Sequence, residues 1–289
     1  MRVPNLLRVR RGSDAISPTA HYTGHVWGRN GLSHPKLGTA EGRVLFGALE
    51  PAMTASRVVG GPTLEGMLLA RHRIIDSLLA AAIDDGRVSQ VIEVACGMSP
   101  RGWRFANRYG DRLTYIEADL PDMAGRKRRA LEDMGALADT HRVVELDALR
   151  DDGPSSLAAV ASELDRDAGL AIVTEGLLTY FGEDDVLGMW RRFARELRRF
   201  SNGLYLSDVR VGGSDDAVID RAFRAALSTF VRGGVHTHCD GESGALDALR
   251  AAGFDEARLH RADEHPAAGD AAGDPAAARV HVIEATISR

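Results

Sequence analysis

The sequence predicts an α/β protein: a seven-stranded, mostly parallel sheet with a terminal antiparallel hairpin, capped by N-terminal helices. Three observations carry this expectation. From residue 89 onward, short apolar runs alternate with helical patterns, which implies right-handed crossovers and helices on both faces of a parallel sheet. The stretch 89–107, SQVIEVACGMSPRGWRFAN, reads as strand, tight turn and helix, with Val91, Ile92 and Val94 leading into Ala95-Cys96-Gly97. The last third then changes character. Two strand-like runs flank the Ala/Gly/Pro-rich EHPAAGDAAGDPAAA, as expected of an antiparallel pair closing one edge.

Taken in order, residues 1–37 read as irregular, rich in Gly, Pro, Ser and His. They nevertheless carry Tyr22 and Trp27, and nothing offsets leaving two large aromatics in water. The segment is therefore expected to fold back over something, either for substrate contact or for packing. A helix is expected over 39–56 and another after Gly60-Gly61-Pro62. In the second, Leu64, Met67, Leu68, Ile75, Leu78, Leu79 and Ala82 fall near one face. Arg71, His72 and Arg73 interrupt that face, as a solvated stripe or as an arginine pointing at the turn after the first strand. Strands are expected at 89–95, 112–119, 141–146, 168–175 and 202–209, with helices at 100–109, 121–138, 153–163 and 182–200. Ser99 suits a helix cap, and Pro100 suits the first helical position, where its missing donor would be unpaired anyway. Helices at 215–231 and 242–252 and strands at 255–262 and 279–287 complete the chain.

Composition narrows the function. The 289 residues suffice for a substantial core, and 44% hydrophobic with 27% charged content is ordinary for a globular protein. A net charge of −5 argues against a general nucleic-acid binder. Cys96 and Cys239 make no disulfide framework, and no Cys/His cluster has zinc spacing. No apolar run is long enough to span a bilayer. The basic start MRVPNLLRVRRGS lacks an apolar signal core, so a cytoplasmic location is expected. His236 and His238 read as solvent-facing in a polar loop.

In open parallel sheets, ligands bind beyond the carboxyl ends of the strands. At the first strand end, the positions of a dinucleotide G-x-G-x-x-G fingerprint hold Ala95, Gly97 and Pro100. That turn suits a nucleoside cofactor without a pyrophosphate. Asp119 follows Gly97 at about the 20-residue offset of a ribose-binding carboxylate, with Glu117 placed deeper in the sheet. Asp147 ends the third strand, placed to accept from an adenine amino group while Ala148 lends its N–H. Glu175 ends the fourth, after LAIV, where a carboxylate needs a partner: a cationic ligand or Arg71. Any one of these carboxylates alone reads better as a helix cap or a solvated strand end; three at consecutive strand ends beside a small-residue turn point to a ligand.

The pieces VIEVACGMSPRGWRF, TYIEADLPDM with its later lysine, VELDAL and VTEGLLTYF, in this order, resemble the leucine carboxyl methyltransferase family over about residues 60–210. Its bacterial branch includes polyketide O-methyltransferases of the tetracenomycin type. The resemblance implies a class I methyltransferase (Rossmann-like) fold and S-adenosylmethionine (SAM) as cofactor, with S-adenosylhomocysteine (SAH) as product. It aims Arg71 at the methionine carboxylate, and Glu93, Ala95 and Gly97 at the turn. Asp119 and Leu120 would meet the ribose, Asp147 and Ala148 the adenine, and Glu175 and Gly176 the methionine end. The family usually shows Gly-x-Gly in the turn, and here Ala95 replaces the first glycine. The implied activity is O-methylation of a small-molecule carboxylate or hydroxyl in secondary metabolism. Tyr180 or His21 would serve as base for a hydroxyl, and Tyr22, Trp27 and Asn30 would contact the acceptor. Residues 1–85 are then a cap and substrate lid, and 86–289 the SAM-binding part of the same domain. The expected partner is the small-molecule acceptor, with no nucleic acid, no membrane, no metal, and a homodimer left open. The rivals are an NAD-type Rossmann enzyme, a catalytically silent SAM-fold scaffold, and protein carboxyl methylation, for which the sequence shows no evident peptide groove.

Overall fold

The computed structural model describes residues 18–211 and 241–288. The expected helix at 215–231, together with His236, His238 and Cys239, lies outside the described residues. Seven strands form one sheet: β1 Gln90–Val94, β2 Thr114–Asp119, β3 His141–Glu145, β4 Leu170–Thr174, β5 Asn202–Val209, β6 Glu256–Arg261 and β7 His281–Ser288. Their order is β3-β2-β1-β4-β5-β7-β6, and β7 alone runs antiparallel to its neighbours. The terminal pair is antiparallel as expected, but β7 lies inside, against β5, and β6 takes the edge.

The two central strands, β1 and β4, are buried along their whole length, as parallel strands covered on both faces must be. Alternate residues feed two apolar layers. Val91, Tyr115, Leu204 and Leu206 join one, Ile92, Ile116, Ile172 and Tyr205 the other. The first layer is closed by α1 Pro18–Arg29, α2 Ala40–Val58 and α3 Leu64–Asp84, the second by α7 Glu183–Leu197 and α8 Gly241–Ala252. Between them along the chain lie α4 Arg101–Tyr109, α5 Pro121–Asp133 and α6 Leu157–Ala161.

Thr39 and Thr63 cap α2 and α3, each accepting from the N–H three residues on. Thr63 also donates its own N–H (3.0 Å) and hydroxyl (2.5 Å) to Asp274, which staples the β6–β7 connection to the start of α3.

Several expected bounds change. The irregular reading of 18–29 is wrong: this segment is α1. Its Gly and β-branched content lowers helix propensity, and burial of Tyr22 and Val26 among α2 and α3 side chains overrides that. Helix α5 stops at Asp133, where the Gly135 N–H turns back to the Glu132 carbonyl. Helix α6 spans only 157–161, begun by Ser156 as cap. Among the described residues, no helix is long and apolar enough to cross a membrane.

Candidate functional site

Strand order reverses between β1 and β4, so the carboxyl ends of these two strands border the ligand crevice of the fold. The turn after β1 has left-handed backbone at Ala95 (φ 56) and Gly97 (φ 52), and Ala95 is the only described non-glycine residue there. Alanine thus adopts the conformation for which glycine is suited, at a strain of about 1–2 kcal/mol. A side chain on Gly97 would meet no atom within 4 Å, so the turn opens onto free space. Ser99 Oγ accepts from the Arg101 N–H at 3.2 Å as expected, whereas Pro100 occupies the cap position just ahead of α4. Lys127 of α5 supports the turn from beneath, donating to the Ser99 carbonyl at 2.5 Å. Its other partner is Glu117, which also meets His141 Nε2 at 2.8 Å. Glu117 is fully buried, as the sequence implied.

Asp119 stands at the tip of β2 and is fixed from both sides. Its Oδ2 accepts from the Gly97 N–H at 2.7 Å and its Oδ1 from the Leu120 N–H at 2.8 Å. Burial pushes its pKa up, and these two donors work against that shift. Each oxygen keeps a further lone pair for a hydroxyl donor. One strand further, Asp147 Oδ1 accepts from the Leu149 N–H at 3.0 Å in a local turn, beside half-buried Ala148.

The other side of the crevice is ionic. Glu175 accepts from Arg71 Nε at 3.2 Å and from Arg101 Nη2 at 2.6 Å, and its Oε2 lies 2.8 Å from His72 Nδ1. Burial alone would raise the Glu175 pKa, but His72, Arg101 and Arg71 together hold it well below the usual carboxylate range. Arg71 Nη1 donates to Asp208 at 2.8 Å, and Asp208 in turn accepts from the Gly176 N–H at 2.6 Å. Arg71 Nη2 lies over Gly176, 2.8 Å from where a Cβ would stand, so a side chain there would displace the guanidinium. Arg101, fully buried, also donates to Asp76 (2.6 Å) and Glu93 (2.7 Å), and Arg104 donates to Asp76 at 2.6 Å.

Several expected site residues are placed elsewhere. Glu93 is committed to Arg101 and to the Tyr115 hydroxyl at 2.8 Å, so it belongs to the interior rather than to a cofactor. Tyr22 stacks on Phe46 with ring centroids 5.5 Å apart, and burial raises its pKa. Asn30 Nδ2 donates to the Val26 carbonyl and to Glu65, closing the end of α1. His21 Nδ1 lies 3.0 Å from Thr39 Oγ1 at the cap of α2, and burial lowers its pKa. Trp27 is buried against the His72 ring, with centroids 4.8 Å apart. Each of the five thus has a partner within the fold. Tyr180 sits half-buried after β4, at the end of the short helical turn 178–180. Arg71 does pair with Glu175, through Nε, and its Nη1 pairs with Asp208, which leaves Nη2 facing Gly176.

His72, Asp76 and Asp208 escaped the sequence reading of the site. Two signals were present: the i,i+4 spacing of His72 and Asp76 on one helix, and a carboxylate ending β5 in LYLSDV. Among the described residues, no group of three or more His, Cys, Asp or Glu is arranged to hold a metal ion.

Known proteins agree with this architecture. A putative S-adenosyl-L-methionine-dependent methyltransferase of Streptomyces coelicolor is 36% identical over 121 residues, 41% of this chain and 40% of that protein. One of Mycobacterium tuberculosis is 30% identical over 148 residues, 51% and 46% respectively. The chain thus spans less than half the length of these curated relatives. The solved structure of a DUF574 family protein from Streptomyces avermitilis superposes with a TM-score of 0.63 at 13% identity, covering 92% of this chain and 96% of that one. A putative methyltransferase from Thermobifida fusca gives 0.63 at 12%, covering 94% and 96%. At such identities the likeness is one of fold, and the fold is that of class I methyltransferases. The profile of leucine carboxyl methyltransferases matches residues 36–193, more than half of the sequence, and the chain belongs to that family.

Proposed function

We propose that the chain is a SAM-dependent methyltransferase acting on an oxygen of a small molecule, a carboxylate or a hydroxyl. The observation that carries this reading is Asp119, whose carboxylate is oriented by the Gly97 and Leu120 N–H groups at the mouth of an open turn. The donor set fits a nucleoside cofactor without a pyrophosphate. Asp119 accepts from the ribose hydroxyls, Asp147 and the Ala148 N–H meet the adenine, and Arg71 offers Nη2 beside Gly176 to the methionine carboxylate. The bound cofactor supplies an electrophilic methyl group on a sulfonium. Displacement at such a centre is in line, so the chain's contribution is alignment and exclusion of water, the latter falling to the helices of residues 1–85 acting as a lid. A carboxylate acceptor needs no base at neutral pH; for a hydroxyl, Tyr180 is the candidate. The family's association with carboxyl groups supports an oxygen acceptor, and the tetracenomycin-type resemblance extends the reading to secondary metabolism.

Calorimetric titration tests the reading. SAM and SAH are expected to bind and NAD not to; NAD binding without SAM binding would overturn it. Asp119→Ala should weaken SAM by about 1.5–3 kcal/mol, the range for hydrogen bonds to a charged group. It should shrink the SAM-induced thermal shift in proportion.

A further inference from the structure

Helix α2 carries apolar residues on two opposite faces. Phe46 is buried in the first apolar layer, with Leu49 and Met53 packed against that layer from the same side. On the other side Val44, Gly47, Ala48, Pro51, Ala55 and Val58 are all exposed. At 3.6 residues per turn they form a stripe about 100° wide that runs most of the helix. Four large hydrophobic side chains are exposed among the described residues, and three of them stand here. They are Val44 at 71%, Val58 at 80% and, just past the helix end, Val59 at 80%. A surface helix ordinarily turns polar and charged residues to solvent on this side. The charges of α2 lie off the stripe, and most already have partners: Glu41 pairs with Arg126, Glu50 with Arg29, and Arg57 with Glu65.

We propose that this stripe is the contact face of a homodimer, packed against the same stripe of a second copy of the chain. The two helices run antiparallel, with the two-fold axis at Pro51. A two-fold contact must complement itself, and the order of residues along α2 does so. About Pro51, Val44 of each copy meets Val58 of the other, and Gly47 meets Ala55. The bulky pairs close the two ends, and the small pairs let the backbones approach in the middle. Pro51 lacks the N–H that would bond the Gly47 carbonyl one turn back. The same pairing brings the Thr54 hydroxyl of one copy beside that carbonyl of the other. Charge also favours a second copy over the start of the same chain. Residues 1–17 set Arg2, Arg8, Arg10 and Arg11 against Asp14 alone, and the stripe holds no carboxylate to receive them. A helix of 19 residues spans about 28 Å, so the contact is at the small end of specific interfaces and association in the micromolar range is expected. The proposal does not depend on the cofactor.

Sedimentation equilibrium of the whole chain across the micromolar range is the test. The wild type should pass from monomer to dimer with concentration. Val44→Glu and Val58→Glu should each raise the dissociation constant at least tenfold, with circular dichroism unchanged because both positions are exposed. Combining Val44→Lys with Val58→Glu in one chain tests the register. The two new charges stand about 21 Å apart within one helix and meet only across the two-fold axis, so dimerisation should return. Pro51→Cys should cross-link the dimer under mild oxidation where the wild type does not. A wild type that stays monomeric overturns the proposal, and loss of folding stability in Val58→Glu would then assign the stripe to a segment of the same chain. A dimer that Val44→Glu and Val58→Glu leave intact, or a double variant that remains monomeric, overturns it as well.

Discussion

Ala95 puts a methyl group where the backbone asks for none. At φ 56 it holds a conformation that glycine adopts freely, so Ala95→Gly should relieve about 1–2 kcal/mol of strain. Against that stands the extra flexibility of glycine in the unfolded chain, roughly 0.5–1 kcal/mol. The expected net gain of about 0.5–1 kcal/mol would appear as a higher urea midpoint at unchanged slope. Asp119 yields a prediction about pH. Its pKa is raised by burial, and hydroxyl donors of a ligand favour its charged form. SAM affinity should therefore fall as acid protonates it, beginning above the ordinary aspartate range, and Asp119→Asn should remove that dependence in a pH series of titrations. The positions of Asp119, Glu117 and Glu175 were legible because strand ends and a fixed offset are local in sequence. The fates of Glu93, Tyr22 and Asn30 were not, because each is decided by a partner on another element: Arg101, Phe46 and Glu65.

Helix α3 was legible from its apolar spacing, while α1 was not, since its helicity comes from what it packs against rather than from its own residues. The start of α3 is stabilised twice over, by the Thr63 cap and by Asp274. Thr63→Ala should cost about 1–2 kcal/mol for the lost cap. Asp274→Ala should also destabilise, and the double mutant should lose less than the two singles combined, as measured by a denaturant double-mutant cycle. On α5, Lys127→Met leaves buried Glu117 with His141 as its remaining partner and should cost about 3 kcal/mol, the low end for a broken buried pair. It also removes the support beneath the Ser99 carbonyl, so SAM affinity should drop even in protein that remains folded at low temperature.

The ionic cluster joins α3, α4, β1, β5 and the turn after β4, so the molecule's response to acid should pass through it. Glu175 and Asp76 have lowered pKa values in the fold, so their contribution to stability is present above their ordinary values of 4.5 and 3.8 and is lost as pH falls below them. Asp119 and Glu93, with raised values, act in the opposite sense. Unfolding free energy should decline below about pH 4.5, and Glu175→Gln should flatten that decline from a lower starting stability, as equilibrium denaturation at stepped pH would measure. Strand order adds a constraint of another kind. The edge strand β6 pairs with β7 alone, and β7 is made later on the ribosome. Until β7 is synthesised, β6 waits without a partner, and its Glu256, Arg258 and Arg261 are the kind of edge charges that discourage pairing with a stranger. A premature stop before His281 would therefore strip two strands from the sheet while deleting only one.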